Sequence, residues 1–237
     1  METVAPHLRL ATRAIIANVW LLEDSMNRKF LVDTGYLLER PMLRLSLWRA
    51  GVQRPGDLTA ILLTHRHADH ASNAQWLREI YDCPVICHAA DAPFLSGKTT
   101  AAPMVPGATA PHDKFFCQFE DHFPPRVKVD DVYKEGRWKW NFKVLPVPGH
   151  TEGSVMLFHK PTKTLFSGDA LLTGIPPIRS FEWLQLAMPS YSIDFETCRQ
   201  HVREHLQAIP EPQFVCAGHG PPVTENIRKK LKSLGKC

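Results

Sequence analysis

An apolar run from Leu58 to Leu63 ends directly in Thr64-His65-Arg66-His67-Ala68-Asp69-His70. Strand ends are where α/β proteins place chemistry, and here three imidazoles and a carboxylate fall within six residues. Four such groups are expensive to bury without a cation or dense hydrogen bonding. If the backbone stays extended through His65 and His67, alternation points both imidazoles to one side. The following turn then brings Asp69 and His70 round to the same cavity. With 12 His in 237 residues, chance yields His-x-His-x-Asp-His about once or twice in a thousand such chains. A core histidine without ligand duty is the ordinary reading of one His, but it is weak for this cluster, which reads as half of a metal site.

Three more candidates stand at the same kind of position, each after an apolar strand. They are His150 in Pro148-Gly149-His150-Thr151-Glu152-Gly153-Ser154, Asp169 in Phe166-Ser167-Gly168-Asp169, and His219 in Ala217-Gly218-His219-Gly220. Each has a glycine neighbour that frees the backbone for a tight turn. Alone, each histidine is ordinary and Asp169 is a turn cap; their recurrence at successive strand ends makes the joint ligand reading the stronger one.

The rest of the chain alternates strand and helix signals. Ala14 to Leu22 and Lys29 to Val32 form a hairpin around Asp24-Ser25-Met26-Asn27, and the second strand runs into Asp33-Thr34-Gly35. Met42 to Ala50 spaces Leu43, Leu47 and Trp48 like one helix face, with Gly51 as its stop. Ser72 to Ile80 is a short amphipathic helix and Pro84 to Cys87 a strand. From about Asp91 to Pro125 a Pro-rich excursion breaks this rhythm, and its Phe94, Phe115, Phe116, Phe119 and Phe123 are costly to leave in water, so it folds back onto the body. Strands return over Trp140 to Val147, Ser154 to Phe158 and Thr164 to Phe166, implying a second sheet. Asp194 caps a helix to Ala208 that Pro210 ends, Phe214 to Cys216 is a strand, and Thr224 caps a last, cationic helix. The expected unit is a single α/β domain over residues 1–237 with that excursion at about 91–125.

Composition narrows the function classes. A balance of 28 Lys and Arg against 24 Asp and Glu gives +4, too modest and too evenly spread for a nucleic-acid surface. No apolar run approaches the length of a membrane span, and Arg9 and Arg13 interrupt the N-terminal segment. Six Cys are too few for a disulfide scaffold, so a reducing, cytoplasmic setting is expected. Cys83 and Cys87 flank an apolar Pro-Val-Ile run and read as structural.

These residues resemble the metallo-beta-lactamase fold superfamily, from the hairpin with Asp33-Thr34-Gly35 through the histidine motif to Ala217-Gly218-His219. The resemblance implies an αββα sandwich with metals at one edge between two sheets. It implies that His65, His67 and His150 bind one metal, that Asp69, His70 and His219 bind a second, and that Asp169 bridges them. The pair is normally zinc, two per chain, with iron or manganese as alternatives for nearly the same N/O ligands. Two cations can hold a hydroxide at neutral pH and stabilise developing oxyanion charge. Asp69 is the catalytic candidate, orienting the nucleophile or taking its proton. Asp33, Thr151, Ser154 and Ser167 read as supports for the ligand loops.

The subfamily is less defined. Beta-lactamases of this class usually carry Cys or Ser where Asp169 stands. Glyoxalase II is similar in ligands, yet only 18 residues follow His219, too few for its glutathione-binding helices. Acyl-homoserine lactonases are similar around Pro148-Gly149-His150 and Gly168-Asp169, but Leu171 and Leu172 stand where their substrate-facing Tyr is expected, leaving Tyr191 as the substitute. Processing nucleases need a second domain or a basic aromatic platform. Persulfide dioxygenases, with one iron, resemble Phe166 to Leu172, while the His219 segment fits two metals better. The expectation is a hydrolase of a small-molecule ester, thioester or lactone, a homodimer being compatible with it. Trp183, Leu184, Leu186 and Met188 are candidates for a pocket wall or for ordinary core. The alternatives are a phosphodiesterase or nuclease, a beta-lactamase, a mononuclear-iron persulfide dioxygenase, and a metal-bearing binding module without turnover.

Overall fold

The computed structural model describes residues 1–13, 17–101, 123–137, 139–174 and 183–234. The first sheet sets β1 (Glu2–Ala5), β2 (Leu8–Arg13), β3 (Asn18–Glu23), β4 (Lys29–Val32), β5 (Ala60–Leu62), β6 (Val85–Cys87) and β7 (Asp131–Val132) side by side in chain order. Neighbours run antiparallel from β1 to β4 and parallel from β4 to β7. The second sheet contains β8 (Gly136–Arg137), β9 (Phe142–Pro146), β10 (Val155–His159), β11 (Thr164–Gly168) and β14 (Phe214–Ala217), in the order β14-β11-β10-β9-β8. Between β11 and β14 in sequence, β12 (Leu171–Leu172) and β13 (Gln185–Leu186) make a separate ribbon.

Strand alternation explains how these sheets stack. In β3, Val19 and Leu21 join a core with α1 (Arg40–Arg49) and α3 (Ala74–Tyr81), whereas Trp20 and Leu22 point to the other face. On β10, Val155 and Leu157 meet that second face, while Met156 and Phe158 pack with residues of α5 (Phe195–Ala208) and α6 (Ile227–Ser233). Period-two alternation in strands buried on both faces thus builds three apolar layers. The middle one, with Phe30, Phe142 and Phe166, lies between the sheets. The architecture is the expected αββα sandwich, completed by the short helices α2 (Ala68–Ala71) and α4 (Ala92–Leu95).

Several boundaries differ from the sequence expectations. The hairpin's first strand begins at Asn18, and β1 and β2 pair ahead of it. Trp140 and Asn141 hold a tight turn with positive φ, so that strand starts at Phe142. Asn226, also at positive φ, precedes the last helix where Thr224 was expected as its cap. In α1, Leu43 and Leu47 are buried as expected, but Trp48 is 55% exposed, because a residue one place beyond Leu47 is turned about 100° from it. Leu184 and Leu186 are buried in the core of the second sheet's outer face, whereas Trp183 is exposed. Phe115, Phe116 and Phe119 of the excursion lie outside the described residues. Cys83, Cys87, Cys198 and Cys216 are buried free thiols, and burial pushes Cys83 up to about 12, which suits a structural role.

Candidate metal centre

The loops that follow β5, β9, β11 and β14 meet at one edge of the sandwich. Strands β9, β11 and β14 share a direction, since β10 is antiparallel to both β9 and β11 and β14 is parallel to β11. The backbone stays extended at His67 (φ −61°, ψ 153°) before turning into α2, which carries Asp69 and His70. Gly149, Gly168 and Gly220 hold positive φ in the turns beside His150, Asp169 and His219. Gly218 acts by closeness instead: a Cβ there would stand 2.8 Å from His70 Cε1.

All seven sequence-selected residues come together. Among the described residues, three groups place their donor atoms within 4.8 Å of one another: His65, His67 and His150; His65, His70 and Asp169; and Asp69, His70 and His219. The first group is a triangle of imidazoles with ring centroids 4.6 to 4.8 Å apart. Asp169 lies between the halves, its Oδ1 3.2 Å from His70 Nε2 and its Oδ2 3.2 Å from His219 Nε2 and 3.6 Å from His150 Nε2.

Electrostatics divides the site in two. Burial, followed by mutual repulsion among the imidazoles, holds His65 and His67 well below the usual histidine range. Burial likewise lowers His150 to about 4. These rings are neutral at pH 7 and offer lone pairs. In the other half burial also disfavours charge, but nearby carboxylates outweigh it, raising His70 well above its ordinary value and His219 to about 10. Asp169 is correspondingly held far below the usual carboxylate range despite its burial, by His219 and His70.

The site fits a cation on its hydrogen bonding too. Nε2 of His65 and of His150 is buried with no hydrogen-bond partner, and the buried Nε2 of His70 faces the carboxylates of Asp169 at 3.2 Å and Asp69 at 3.7 Å. Each orphaned buried polar atom costs about 1–3 kcal/mol, and several converging on one small volume are what a bound cation satisfies. The opposite ring nitrogens are held in place. Asp33 Oδ2 lies 2.9 Å from His70 Nδ1, and the same carboxylate accepts from the Thr64 amide and hydroxyl, both at 2.8 Å. Thr64 Oγ1 is 3.0 Å from His65 Nδ1. Asp33 is therefore a support, as its place in the sequence suggested, and so are Thr151 and Ser154, joined at 2.8 Å.

Two supports had no sequence reading. Ser192 Oγ lies 3.2 Å from His150 Nδ1 and donates to Met188 O at 2.8 Å. Asp91, fully buried, accepts from Thr151 Oγ1 at 2.9 Å and from the Gly153 amide at 2.7 Å, and its Oδ1 is 3.9 Å from Arg66 Nε. It thus links the His150 turn to the His65–His70 segment. The one local signal for Asp91 is Pro93 two residues later, which marks a short helix start.

Two sheets between helices, with clustered His and Asp donors where their strands end, define a metal-dependent hydrolase. The chain belongs to the metallo-beta-lactamase superfamily, whose family model matches residues 12–233. It is 29% identical over 238 residues to the probable metallo-hydrolase YflN of Bacillus subtilis, covering 92% of this chain and 86% of that protein. Against the acyl-coenzyme A thioesterase MBLAC2 of Gallus gallus it is 31% identical over 180 residues, covering 67% of this chain and 58% of the relative. The crystal structure of TTHA1623 in a di-iron-bound form superposes with a TM-score of 0.62 at 26% identity, covering 91% of this chain and 93% of that one.

Proposed function

We propose that His65, His67 and His150 hold one metal ion, that Asp69, His70 and His219 hold a second, and that Asp169 is shared between them. The observation that carries this reading is the convergence of the ring nitrogens of His70, His150 and His219 on the Asp169 carboxylate, with Nε2 of His65 and His150 buried without a hydrogen-bond partner. Zinc is the proposed metal for this N/O donor set, and the di-iron form of TTHA1623 supports iron as the alternative to test, with manganese after it. We propose a small-molecule ester, thioester or lactone as substrate. The thioesterase name of one relative supports the thioester arm. A single domain over residues 1–237 and a cytoplasmic setting belong to the same proposal, the latter supported by the four buried free thiols.

When bound, the metal pair supplies Lewis-acid activation of a water and of the scissile carbonyl. The chain's own residues do the rest. Asp33 and Thr64 fix the orientation of His70 and His65, and Ser192 does so for His150. Among the three groups Asp69 has the most open side chain, 21% exposed, which supports it as the residue that would take the proton of the attacking water and return it to the leaving group.

The test is to purify the chain without added metal, count metals per chain and assay that preparation against lactones, acyl thioesters, a chromogenic beta-lactam and a phosphodiester. Two metals with lactone or thioester turnover, lost on chelation and restored by zinc, is the expected result. No bound metal would remove the ligand assignment, and one iron without hydrolysis would move the reading to an oxygenase. Ser192→Ala is expected to weaken metal affinity roughly tenfold with the fold intact, the scale lost when the partner of a ligating histidine is removed. Titration against a competing chelator measures it, and unchanged affinity would mean Ser192 does not orient His150.

A further inference from the structure

Large apolar side chains are concentrated in one segment of the surface. Of the ten large hydrophobics exposed among the described residues, five fall between Leu37 and Trp48: Leu37 at 47%, Leu38 at 81%, Met42 at 65%, Leu45 at 42% and Trp48 at 55%. Met42 and Leu45, three residues apart, line one side of α1, and Leu37 and Leu38 lie in the single 3-10 turn that leads into it. Leu43 and Leu47 on the opposite side are buried against the first sheet. The segment is therefore apolar on both sides, and burying the core explains only one of them.

The charges on the helix itself have one sign. Helix α1 carries Arg40, Arg44 and Arg49 and no acid. Arg54, in the loop that follows, is 84% exposed and pairs with Asp57 at a loose 3.7 Å. Glu39 does not offset the helix cations at the surface, because it is buried and its carboxylate accepts from the Tyr36 amide at 3.0 Å. Arg49 and Arg54 are thus exposed cations flanking a ridge of Leu, Met and Trp.

We infer that this face docks on an anionic lipid surface. A helix lying in the plane of a bilayer inserts an apolar ridge, with Trp at the headgroup level, while neighbouring Arg residues meet lipid phosphates. Ten residues of α1 span about 15 Å, enough for a shallow peripheral contact. Charge also decides against a second copy of the chain as occupant. A symmetric dimer through this face would set the acid-free α1 of each copy against the other, bringing like charges together. No described helix is long and apolar enough to cross a membrane. The contact is independent of the hydrolase reading.

Sedimentation of the metal-loaded chain with vesicles tests this, using plain phosphatidylcholine and the same lipid with about a third phosphatidylglycerol. Binding roughly tenfold stronger to the anionic vesicles is expected, weakening at high salt as screening predicts. Trp emission should shift to the blue on binding, and W48F should remove most of that shift. L38E/M42E and R49E/R54E, whose folding is checked by circular dichroism, are expected to abolish sedimentation. Equal or absent binding to the two vesicle types would overturn the inference, as would full binding by folded L38E/M42E. A dimer in light scattering that L38E/M42E separates would assign the face to a second copy instead.

Discussion

Asp169→Asn is expected to lower turnover by at least about a hundredfold and to reduce the metal content from two ions per chain towards one. The floor comes from comparison: removing a residue that merely hydrogen-bonds a metal ligand costs about 10- to 100-fold, and Asp169 faces both halves of the site directly. Its Oδ1 is 3.2 Å from His70 Nε2, and its Oδ2 is 3.2 Å from His219 Nε2 and 3.6 Å from His150 Nε2. Asp69, by contrast, faces His70 and His219, at 3.7 and 3.3 Å. Asn keeps the volume of Asp but not its charge, and one of its two terminal groups is a donor that repels a cation. Metal analysis and kcat on one preparation read the two effects separately. Two retained metals with full kcat would show that the carboxylate is not shared.

The clustering of the candidate ligands was legible in the sequence because each follows an apolar strand and sits beside its own turn chemistry. That regularity is local: Leu58 to Leu63 announces His65 and His67, and the glycines announce His150, Asp169 and His219. The sandwich was legible for a similar reason, since strands buried on both faces read as continuous apolar runs. What escaped the reading depends on partners distant in the chain. Asp91 meets Thr151 across 60 residues and Ser192 meets His150 across 42, and no periodicity encodes a hydrogen bond of that kind. Leu8 and Leu10 are buried between the sheets, yet β2 contains polar residues and gains its identity from pairing with β3. Trp48 shows the converse failure. Its spacing puts it on one helix face with Leu43 and Leu47, yet it is exposed while they are buried; hydrophobicity alone cannot tell a buried face from an exposed one.

Asp91→Ala is expected to destabilise the metal-free chain by about 3 kcal/mol at pH 4.5, through the donors it orphans, and by distinctly less at pH 7. The carboxyl accepts from the Gly153 amide and Thr151 Oγ1 and faces Arg66, itself only 8% exposed. Burial nevertheless dominates, raising its pKa from the ordinary 3.8 to about 6. The folded chain therefore holds this proton more tightly than the unfolded chain does. Stability linked to it is fully present below pH 3.8 and is lost as pH rises through about 6, a difference of about 2 kcal/mol between pH 4.5 and 7. The variant lacks that slope, while the imidazoles titrate in both proteins and cancel in the comparison. Urea unfolding of both at the two pH values measures the gap, and an equal gap at each would remove the raised pKa from the account. A buried acid that costs stability at neutral pH is explained by what it positions. Asp91→Asn, which keeps one acceptor for the Gly153 amide, should accordingly recover part of the metal affinity that Asp91→Ala loses from the His150 turn.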